Sequence, residues 1–296
     1  MSVETAGQRL LRVRDPSGTP RVGVVAEDEL RLLAGDDMLG TLAGGEVANV
    51  VDSVPIRDAQ TLALPEPWTV LVPILAPETW AAGVTYERSR EARTAESQRR
   101  DVYELVYDAE RPELFLKDAA NRRTVGPGEP IAARSDASWT VPEPELAVVL
   151  GADATPVAVT IGNDVSSRDI EGANPLYLPQ AKIYARACAL GPALLVPADW
   201  SVSYEIELRI FAESGELLFA DSTSTASMCR SISTLAEYLR RDNPVPPGSV
   251  LLTGTGIVPP DDVTLKPGQV VEIRIPGIGV LRNPVGGVQS TKSQEV

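Results

Sequence analysis

A short apolar run that follows two prolines constrains the fold of this chain more than any other stretch. Residues 145–150 are aliphatic and β-branched without a helical period, which predicts a buried strand. Residues 156–161 read as a second strand, and residues 151–154 between them supply a turn. We therefore predict an antiparallel hairpin, with Pro142 and Pro144 at its start because proline cannot donate a hydrogen bond to a ladder.

Acidic side chains lie at the open end of this predicted hairpin. Glu143 and Glu145 are two residues apart and point to one face of the strand, and the return strand brings Asp164 beside them. Three close carboxylates repel each other unless they are protonated or share a cation. An all-oxygen site favours Mg²⁺, or alternatively Mn²⁺ or Ca²⁺, over zinc. The alternative interpretation is that Glu143 and Glu145 form the solvated face of a half-buried strand.

The composition is that of an ordinary globular protein with an excess of acid. The chain has 296 residues, 43% of them hydrophobic and 23% charged, which suits one or two domains. A formal net charge of −14 argues against nucleic acid and anionic membranes as partners. We find no signal peptide and no apolar run that could span a bilayer, so we expect a cytoplasmic protein without a membrane partner.

Histidine is absent from the sequence, and lysine is scarce. The first fact excludes Ser-His-Asp and Cys-His hydrolysis and every zinc site that contains histidine. Acid–base chemistry must therefore fall to Lys, Glu, Asp, Tyr or water. Since lysine, unlike arginine, can lose its proton near neutral pH, Lys117 and Lys182 become candidates.

Two regions of different character follow one another along the chain. Residues 10–14, 21–26 and 30–33 alternate like strands, and mixed signals after them suggest one helix, so we predict a small N-terminal α+β domain over residues 1–75. Residues 76–296 are predominantly β with long loops and are predicted to form the catalytic domain.

Two segments of the second region are typical of functional loops. Residues 87–110 are charged and mainly helical, and the first half is polar all round, as in a lid. Residues 166–180 are rich in glycine, asparagine and proline, and a loop of that length is usually functional.

Several motifs occur in one order along the second region. They are Gly83-Val84-Thr85-Tyr86, Phe115-Leu116-Lys117, Glu143-Pro144-Glu145, Gly162-Asn163-Asp164-Val165-Ser166-Ser167-Arg168-Asp169, Lys182, Leu190-Gly191-Pro192, Leu252-Thr253-Gly254-Thr255-Gly256 and Gly277-Ile278-Gly279-Val280-Leu281-Arg282-Asn283-Pro284-Val285. This order resembles the fumarylacetoacetate hydrolase superfamily over about residues 78–287. Residues 172–182, 241–246 and 254–260 look like its branch of 2-keto-3-deoxy-D-arabinonate dehydratases.

The resemblance implies a fold, a cofactor and a reaction. The fold class would be α+β and predominantly β, with a mixed β-sandwich roll as catalytic domain. Glu143, Glu145 and Asp164 would hold Mg²⁺, and the protein would be a homodimer or homotetramer. The branch implies a hydro-lyase of pentose catabolism that dehydrates 2-dehydro-3-deoxy-D-arabinonate, a small 2-keto acid, to 2-oxoglutarate semialdehyde.

One departure from the hydrolase members of the superfamily is informative. Those members carry a catalytic histidine just after the tyrosine of the first motif, where this chain has Ser89. A serine without a base cannot activate water as histidine does. The resemblance therefore favours dehydration over C–C hydrolysis, because dehydration needs no nucleophilic water, and we count Ser89 among the substrate-binding residues.

The expected catalytic residues follow from this reaction. We predict that Lys182 is the base, because a lysine near a dication is biased toward its neutral form; the alternative is a salt bridge to one of the three carboxylates. Tyr86 is a candidate hydrogen-bond donor to the leaving hydroxyl, or else a core residue. Glu87 and Glu91 are candidate acids on the charged segment.

The remaining candidates would bind substrate. Arg168 could pair with a carboxylate of the substrate or brace Asp164 or Asp169. The others, each with an ordinary structural role as the alternative, are Lys117, Thr255 and Gln180.

Two other functions remain open at the level of sequence. One is an acylpyruvate-type C–C hydrolase or another metal-dependent 2-keto-acid lyase on the same fold. The other is a non-catalytic protein that binds sugar acids.

Overall fold

The computed structural model describes residues 7–44, 49–96 and 105–287. Its strands are β1 Gly7–Arg14, β2 Pro20–Ala26, β3 Glu29–Leu33, β4 Val50–Pro55, β5 Thr69–Val70, β6 Glu78–Gly83, β7 Glu113–Ala119, β8 Thr124–Val125, β9 Ile131–Ala133, β10 Thr140–Val141, β11 Pro144–Leu150, β12 Pro156–Asp164, β13 Ser166–Ser167, β14 Cys188–Pro197, β15 Glu205–Phe211, β16 Leu217–Ser224, β17 Val250–Leu252, β18 Val270–Ile275 and β19 Gly279–Gly287. Its helices are α1 Met38–Gly44, α2 Glu87–Glu96, α3 Arg168–Ala173, α4 Leu178–Lys182 and α5 Ile232–Arg240.

Two large sheets form the architecture. Twelve strands pair in one sheet, in the order β4-β3-β2-β1-β14-β12-β11-β17-β6-β7, with β5 on β1 and β8 on β14. Five strands form the second sheet, in the order β16-β15-β18-β19-β9, and β10 pairs with β13. The prediction of a predominantly β, α+β fold is confirmed.

A hydrophobic core joins the two large sheets. It takes buried side chains from β11 and β12 of the first sheet and from β15 and β18 of the second. Burying one aliphatic side chain of this kind contributes about 1.5–3 kcal/mol, so this core holds the sandwich together.

Strand β11 is buried along its whole length, which explains its unbroken apolar sequence. Leu146 and Val148 belong to the core between the sheets, whereas Ala147 and Val149 pack in a second cluster. Because side chains alternate along a strand, Glu145 points to the same face as Ala147. The acidic end of the strand therefore lies in buried surroundings, and the alternative of a solvated acidic face is wrong.

The N-terminal strands continue the sheet that carries the hairpin. β1 pairs antiparallel with β14, with Leu10 opposite Leu194. The division of the chain into residues 1–75 and 76–296 stays a prediction, and hydrogen bonding runs across it.

The segment predicted as a long loop, residues 166–180, is largely built of short helices. α3 and α4 are joined by a 3₁₀ turn over Pro175–Tyr177, which the Asn174 side chain caps by accepting the N–H of Leu176 at 3.0 Å. The proline and asparagine that suggested a loop thus begin a turn of helix. Of the predicted lid segment, residues 97–104 lie outside the described residues. Among the helices of the described ranges, none has the length and apolar character of a membrane span.

Candidate metal centre and active site

The hairpin of β11 and β12 brings the three acidic side chains together. The strands pair antiparallel with Glu145 opposite Gly162, and the N–H of Asp164 donates to the carbonyl of Glu143 at 3.0 Å. One carboxylate oxygen from each of Glu143, Glu145 and Asp164 lies within 4.8 Å of the others, and all three residues are buried. The predicted hairpin is confirmed, and the carboxylates converge at its end.

Lys182 lies between two of these carboxylates. It is the last residue of α4, and its side chain is buried. Its Nζ donates to Glu143 Oε2 at 2.8 Å, to Asp164 Oδ2 at 3.0 Å and to Ser166 Oγ at 2.6 Å. The structure therefore shows the salt bridge that the sequence offered as an alternative, at the place where a base would be needed.

Lys117 holds the other side of Asp164. Its side chain is fully buried, and it forms an ion pair with Asp164 Oδ1. Its Nζ also donates to the carbonyls of Val165 at 3.0 Å and Lys182 at 2.6 Å. These contacts connect a candidate metal ligand to the backbone of the candidate base.

Arg168 braces Glu143. Its Nη1 lies 3.2 Å from Glu143 Oε1, and its guanidinium lies 5.7 Å from the ring centroid of Trp139. Bracing was one of the two predicted roles, but the predicted partners, Asp164 and Asp169, were wrong, because the braced carboxylate is Glu143. Asp169 instead accepts from the N–H and Oγ of Ser138, at 2.6 and 2.8 Å. The difference arises because α3 turns the arginine toward the strand end and the aspartate toward β10.

Glu145 has a different environment from its two neighbours. Its Oε2 accepts a hydrogen bond from the N–H of Gly254, in a turn where that glycine has a φ of 91°. Burial, and then the charges of Asp164 and Glu143, raise the pKa of Glu145 well above its usual value. Three buried carboxylates that converge on one point are oxygen ligands of the kind that fit a hard divalent cation.

Ser89 and Thr255 line a small cavity beside the carboxylates, which is described below as the inner cavity. Ser89 Oγ donates to the carbonyl of Thr255 at 2.5 Å, and Thr255 Oγ1 accepts the N–H of Ile257 at 3.1 Å. The serine in the position of the hydrolase histidine is therefore engaged in joining α2 to this turn.

The two predicted catalytic residues at the start of α2, Tyr86 and Glu87, are placed differently from each other. Tyr86 is buried beside Gly256, its hydroxyl has no hydrogen-bond partner among the described residues, and burial followed by the charge of Glu145 raises its pKa. Glu87 is exposed and pairs with Arg90 at 3.1 Å. The structure does not bring Glu87 to the carboxylate cluster.

Gln180 is also away from the cluster. It is exposed, and its backbone carbonyl accepts from Arg134 at 3.1 Å. It lines neither of the two cavities described next. The residue precedes the buried stretch of α4 by a single position, and the helical period directs its side chain outward.

Two cavities lie on either side of α2 and α3. The inner cavity is small and is lined by Ala82, Gly83, Val84, Ser89, Glu113, Phe115, Glu143, Asp164, Glu171, Lys182, Gly254 and Thr255. The outer cavity has a volume of about 660 Å³, and its walls include Glu91, Trp139 and Arg168. The predicted candidate Glu91 therefore faces the outer cavity.

Sequence reasoning missed two carboxyl groups of the inner cavity. Glu113 begins β7, and Glu171 lies three residues after Arg168 on α3. Residues three apart on a helix share a face, so a helical reading of residues 168–173 would have paired Glu171 with Arg168. Glu113 carried no such signal.

Comparison with known sequences agrees with this site. The model of the fumarylacetoacetate hydrolase C-terminal family matches residues 79–286. A Haloferax volcanii protein named "Probable 2-keto-3-deoxyxylonate dehydratase" is 50% identical over 215 residues, which cover 72% of this chain and 74% of that protein. The 2-dehydro-3-deoxy-D-arabinonate dehydratase of Saccharolobus solfataricus is 47% identical over 218 residues, which cover 72% and 73%.

Comparison with solved structures extends the similarity to the fold. A structure of 2-keto-3-deoxy-D-arabinonate dehydratase complexed with magnesium and 2,5-dioxopentanoate matches with a TM-score of 0.83 and 40% identity, over 95% of this chain and 100% of that one. The matched family model spans the hairpin, both lysines and every carboxylate of the site. The chain belongs to the fumarylacetoacetate hydrolase family.

Proposed function

We propose that this protein is a magnesium-dependent hydro-lyase that converts 2-dehydro-3-deoxy-D-arabinonate into 2-oxoglutarate semialdehyde. The observation that carries the proposal is the convergence of Glu143, Glu145 and Asp164 on one buried point, with Lys182 in the same cavity. The relatives at 50% and 47% identity are named for dehydration of such acids, and the magnesium complex is of a structure that matches nearly the whole chain.

Three carboxylates would hold the cofactor, and two cations orient two of these carboxylates. Glu143, Glu145 and Asp164 would hold Mg²⁺ through carboxylate oxygens. When bound, the ion would polarise the keto group of a chelating 2-keto acid and make its C3 protons more acidic. Arg168 and Lys117 hold the outer oxygens of Glu143 and Asp164 and so orient both ligands.

Lys182 takes the proton from C3 in this proposal. It lines the inner cavity beside the carboxylates, and its Nζ lies 2.8 Å from Glu143 Oε2. General-base catalysis of this kind typically contributes about 10²–10⁴-fold in rate.

The departing C4 hydroxyl needs a proton. Tyr86 does not line the cavity and Glu87 is exposed, so the carboxyl groups of Glu113 and Glu171, which both line it, are better placed to donate. Loss of water leaves a double bond between C3 and C4. Transfer of a proton from C5 to C3 moves the double bond to C4 and C5, and the resulting C5 enol passes its hydroxyl proton to C4 to give the aldehyde. Thr255 lines the cavity and offers its hydroxyl to the substrate carboxylate, since the N–H of Gly254 is already donated to Glu145.

The alternative of an acylpyruvate C–C hydrolase has less support. It requires a group that activates water, and Ser89 in that position donates its hydrogen bond to a backbone carbonyl. A non-catalytic binding protein would have no need for a buried lysine among the ligands, because a buried ion pair is costly to desolvate.

The test is a product assay with the purified protein and Mg²⁺. We expect aldehyde from 2-keto-3-deoxypentonates, no cleavage of acylpyruvates, and loss of turnover with EDTA. Split fragments from an acylpyruvate would replace the proposal with the hydrolase. Calorimetric binding of the sugar acid without any product would replace it with the binding protein.

The base assignment has its own test. Lys182→Met should reduce kcat by about 10²–10⁴-fold, whereas Lys266→Met, at an exposed lysine, should leave kcat unchanged. Near-full activity of Lys182→Met would show that another group takes the proton.

Assembly and location complete the proposal. We infer a homodimer or homotetramer in the cytoplasm that acts on a small 2-keto acid. Light scattering on the purified protein measures the subunit number directly, and a monomer would contradict the first part.

A further inference from the structure

The two best-placed carboxylates of the site each present one oxygen to a fixed cation and one to Lys182. Glu143 Oε1 faces Arg168 and Asp164 Oδ1 faces Lys117. The remaining oxygens, Glu143 Oε2 and Asp164 Oδ2, lie 2.8 and 3.0 Å from the same Lys182 Nζ. One ammonium thus bridges two of the three side chains that converge on a common point.

Arg168 and Lys117 are held in place from several directions. Lys117 donates to two backbone carbonyls in addition to its ion pair, and its side chain is 0% exposed. Arg168 lies against the ring of Trp139. Neither residue lines the inner cavity; Arg168 faces the outer cavity instead, together with Trp139.

Lys182 differs in this respect from the other two cations. It lines the inner cavity, whose free volume of about 20 Å³ is enough for one group the size of an ammonium. Another of its partners is the hydroxyl of Ser166 at 2.6 Å, a neutral group whose loss leaves no charge unpaired. Of the three cations, it is the one that borders free space beside the carboxylates.

A divalent ion held by the three carboxylates would compete with Lys182 for oxygens. Arg168 and Lys117 face Glu143 Oε1 and Asp164 Oδ1, so the oxygens left for the ion are the two that Lys182 contacts. Magnesium binds carboxylate oxygens at about 2.0–2.1 Å, and at that separation a dication and an ammonium on the same oxygens repel each other. The two cations therefore compete at Glu143 Oε2 and Asp164 Oδ2.

We propose that Lys182 and the divalent ion exchange at Glu143 and Asp164. Loading the ion displaces the Lys182 amine from the carboxylates into the inner cavity. Metal loading and release of the amine from its ion pairs are then one event. The proposal rests on the metal assignment of the proposed function, and on no other part of it.

The decisive experiment measures metal binding without substrate. Metal-stripped full-length protein is titrated with Mn²⁺, and free Mn²⁺ is followed by its EPR signal. We expect Lys182→Met to bind Mn²⁺ at least about tenfold more tightly, since one tenfold step corresponds to about 1.4 kcal/mol. Unchanged or weaker binding would overturn the exchange.

Arg168→Met is the matched control. It removes the same charge from the same carboxylate, but from the oxygen that Lys182 does not touch. A general loss of positive charge would tighten binding equally in both variants and would overturn the proposal. Exchange predicts that Lys182→Met tightens binding far more than Arg168→Met does.

A second variant keeps the idea testable if either of these fails to fold. Ser166→Ala removes one hydrogen bond from the ammonium and leaves every charge in place. We expect it to tighten Mn²⁺ binding by a few fold, and weaker binding would contradict exchange.

A crystal soaked with Mn²⁺ should show Lys182 Nζ beyond hydrogen-bond distance of Glu143 Oε2; an ion bound with the 2.8 Å contact retained would end the proposal. Because no arm uses substrate, tight Mn²⁺ binding without dehydration would refute the proposed function alone.

Discussion

Two buried aspartates of this protein, Asp118 and Asp164, are equally hidden from solvent and differently satisfied. Both are 1% exposed. Asp118 accepts from the backbone N–H groups of Ala119, Arg123 and Thr124 and from the Thr124 hydroxyl, all within six residues of it. Asp164 is held by ion pairs to Lys117 and Lys182, which come from distant parts of the chain.

The groups that satisfy the oxygens of a buried acid distinguish a structural acid from a functional one. A carboxylate whose oxygens are filled by local N–H donors shapes a loop and has no capacity left for a ligand. A carboxylate that shares a point with two others and depends on cations from distant parts of the chain is incomplete in itself. Asp118 belongs to the first kind and Asp164 to the second.

The largest effect is expected from a substitution of Asp164, the functional buried acid. Asp164→Asn should lower kcat/KM by more than about a hundredfold, because even residues behind a metal ligand are typically worth 10–100-fold. Mn²⁺ affinity should fall in parallel, while circular dichroism should show the fold intact. Retained affinity and activity would mean that Asp164 is not a ligand.

Lys117→Met should have the largest effect on stability. Removing one partner of a buried ion pair leaves an uncompensated charge, at a cost of about 3–5 kcal/mol. Urea denaturation measures the change in the free energy of unfolding. Lys266→Met, at an exposed lysine, is the control and should stay within about 0.5 kcal/mol of wild type; equal effects would refute the buried pair.

Asp118→Asn should separate stability from activity. The amide keeps one acceptor oxygen and cannot satisfy the N–H groups on both sides, so the protein should lose about 1–3 kcal/mol of stability. Activity per folded molecule should match wild type at a temperature where both are folded. A selective loss of kcat would assign Asp118 to the site and undo the comparison.

The smallest effect is expected at Asp15, a half-buried carboxylate in a surface turn that is satisfied locally like Asp118. Hydrogen bonds, first from the Ser17 hydroxyl, lower the pKa of Asp15 to about 2. Because the pKa is lower in the folded state, this contribution to stability is present above about pH 3.8 and is lost as the pH falls through about 2. Asp15→Asn should therefore be slightly less stable than wild type at pH 7, and the two unfolding curves should converge near pH 2. A gap that persists there would assign the effect to something other than charge.

Three features could be predicted from the amino-acid sequence alone: the strand hairpin, the mostly β fold and the meeting of three acidic side chains at the end of the hairpin. These features follow from local rules: β11 is apolar because both its faces are buried, and alternation along a strand fixes which carboxylates share a side. The absence of histidine also narrowed the chemistry before any fold was known.

The partners of those carboxylates could not be predicted from the sequence, because they depend on long-range packing. Lys117, Arg168 and Lys182 come from separate elements, and no local pattern fixes which oxygen each one reaches. Glu113 and Glu171 line the inner cavity although the sequence did not predict it, whereas the predicted residues Gln180 and Glu87 are exposed. Local periodicity sets the face on which a side chain lies, but the long-range packing of one element against another sets what that face meets.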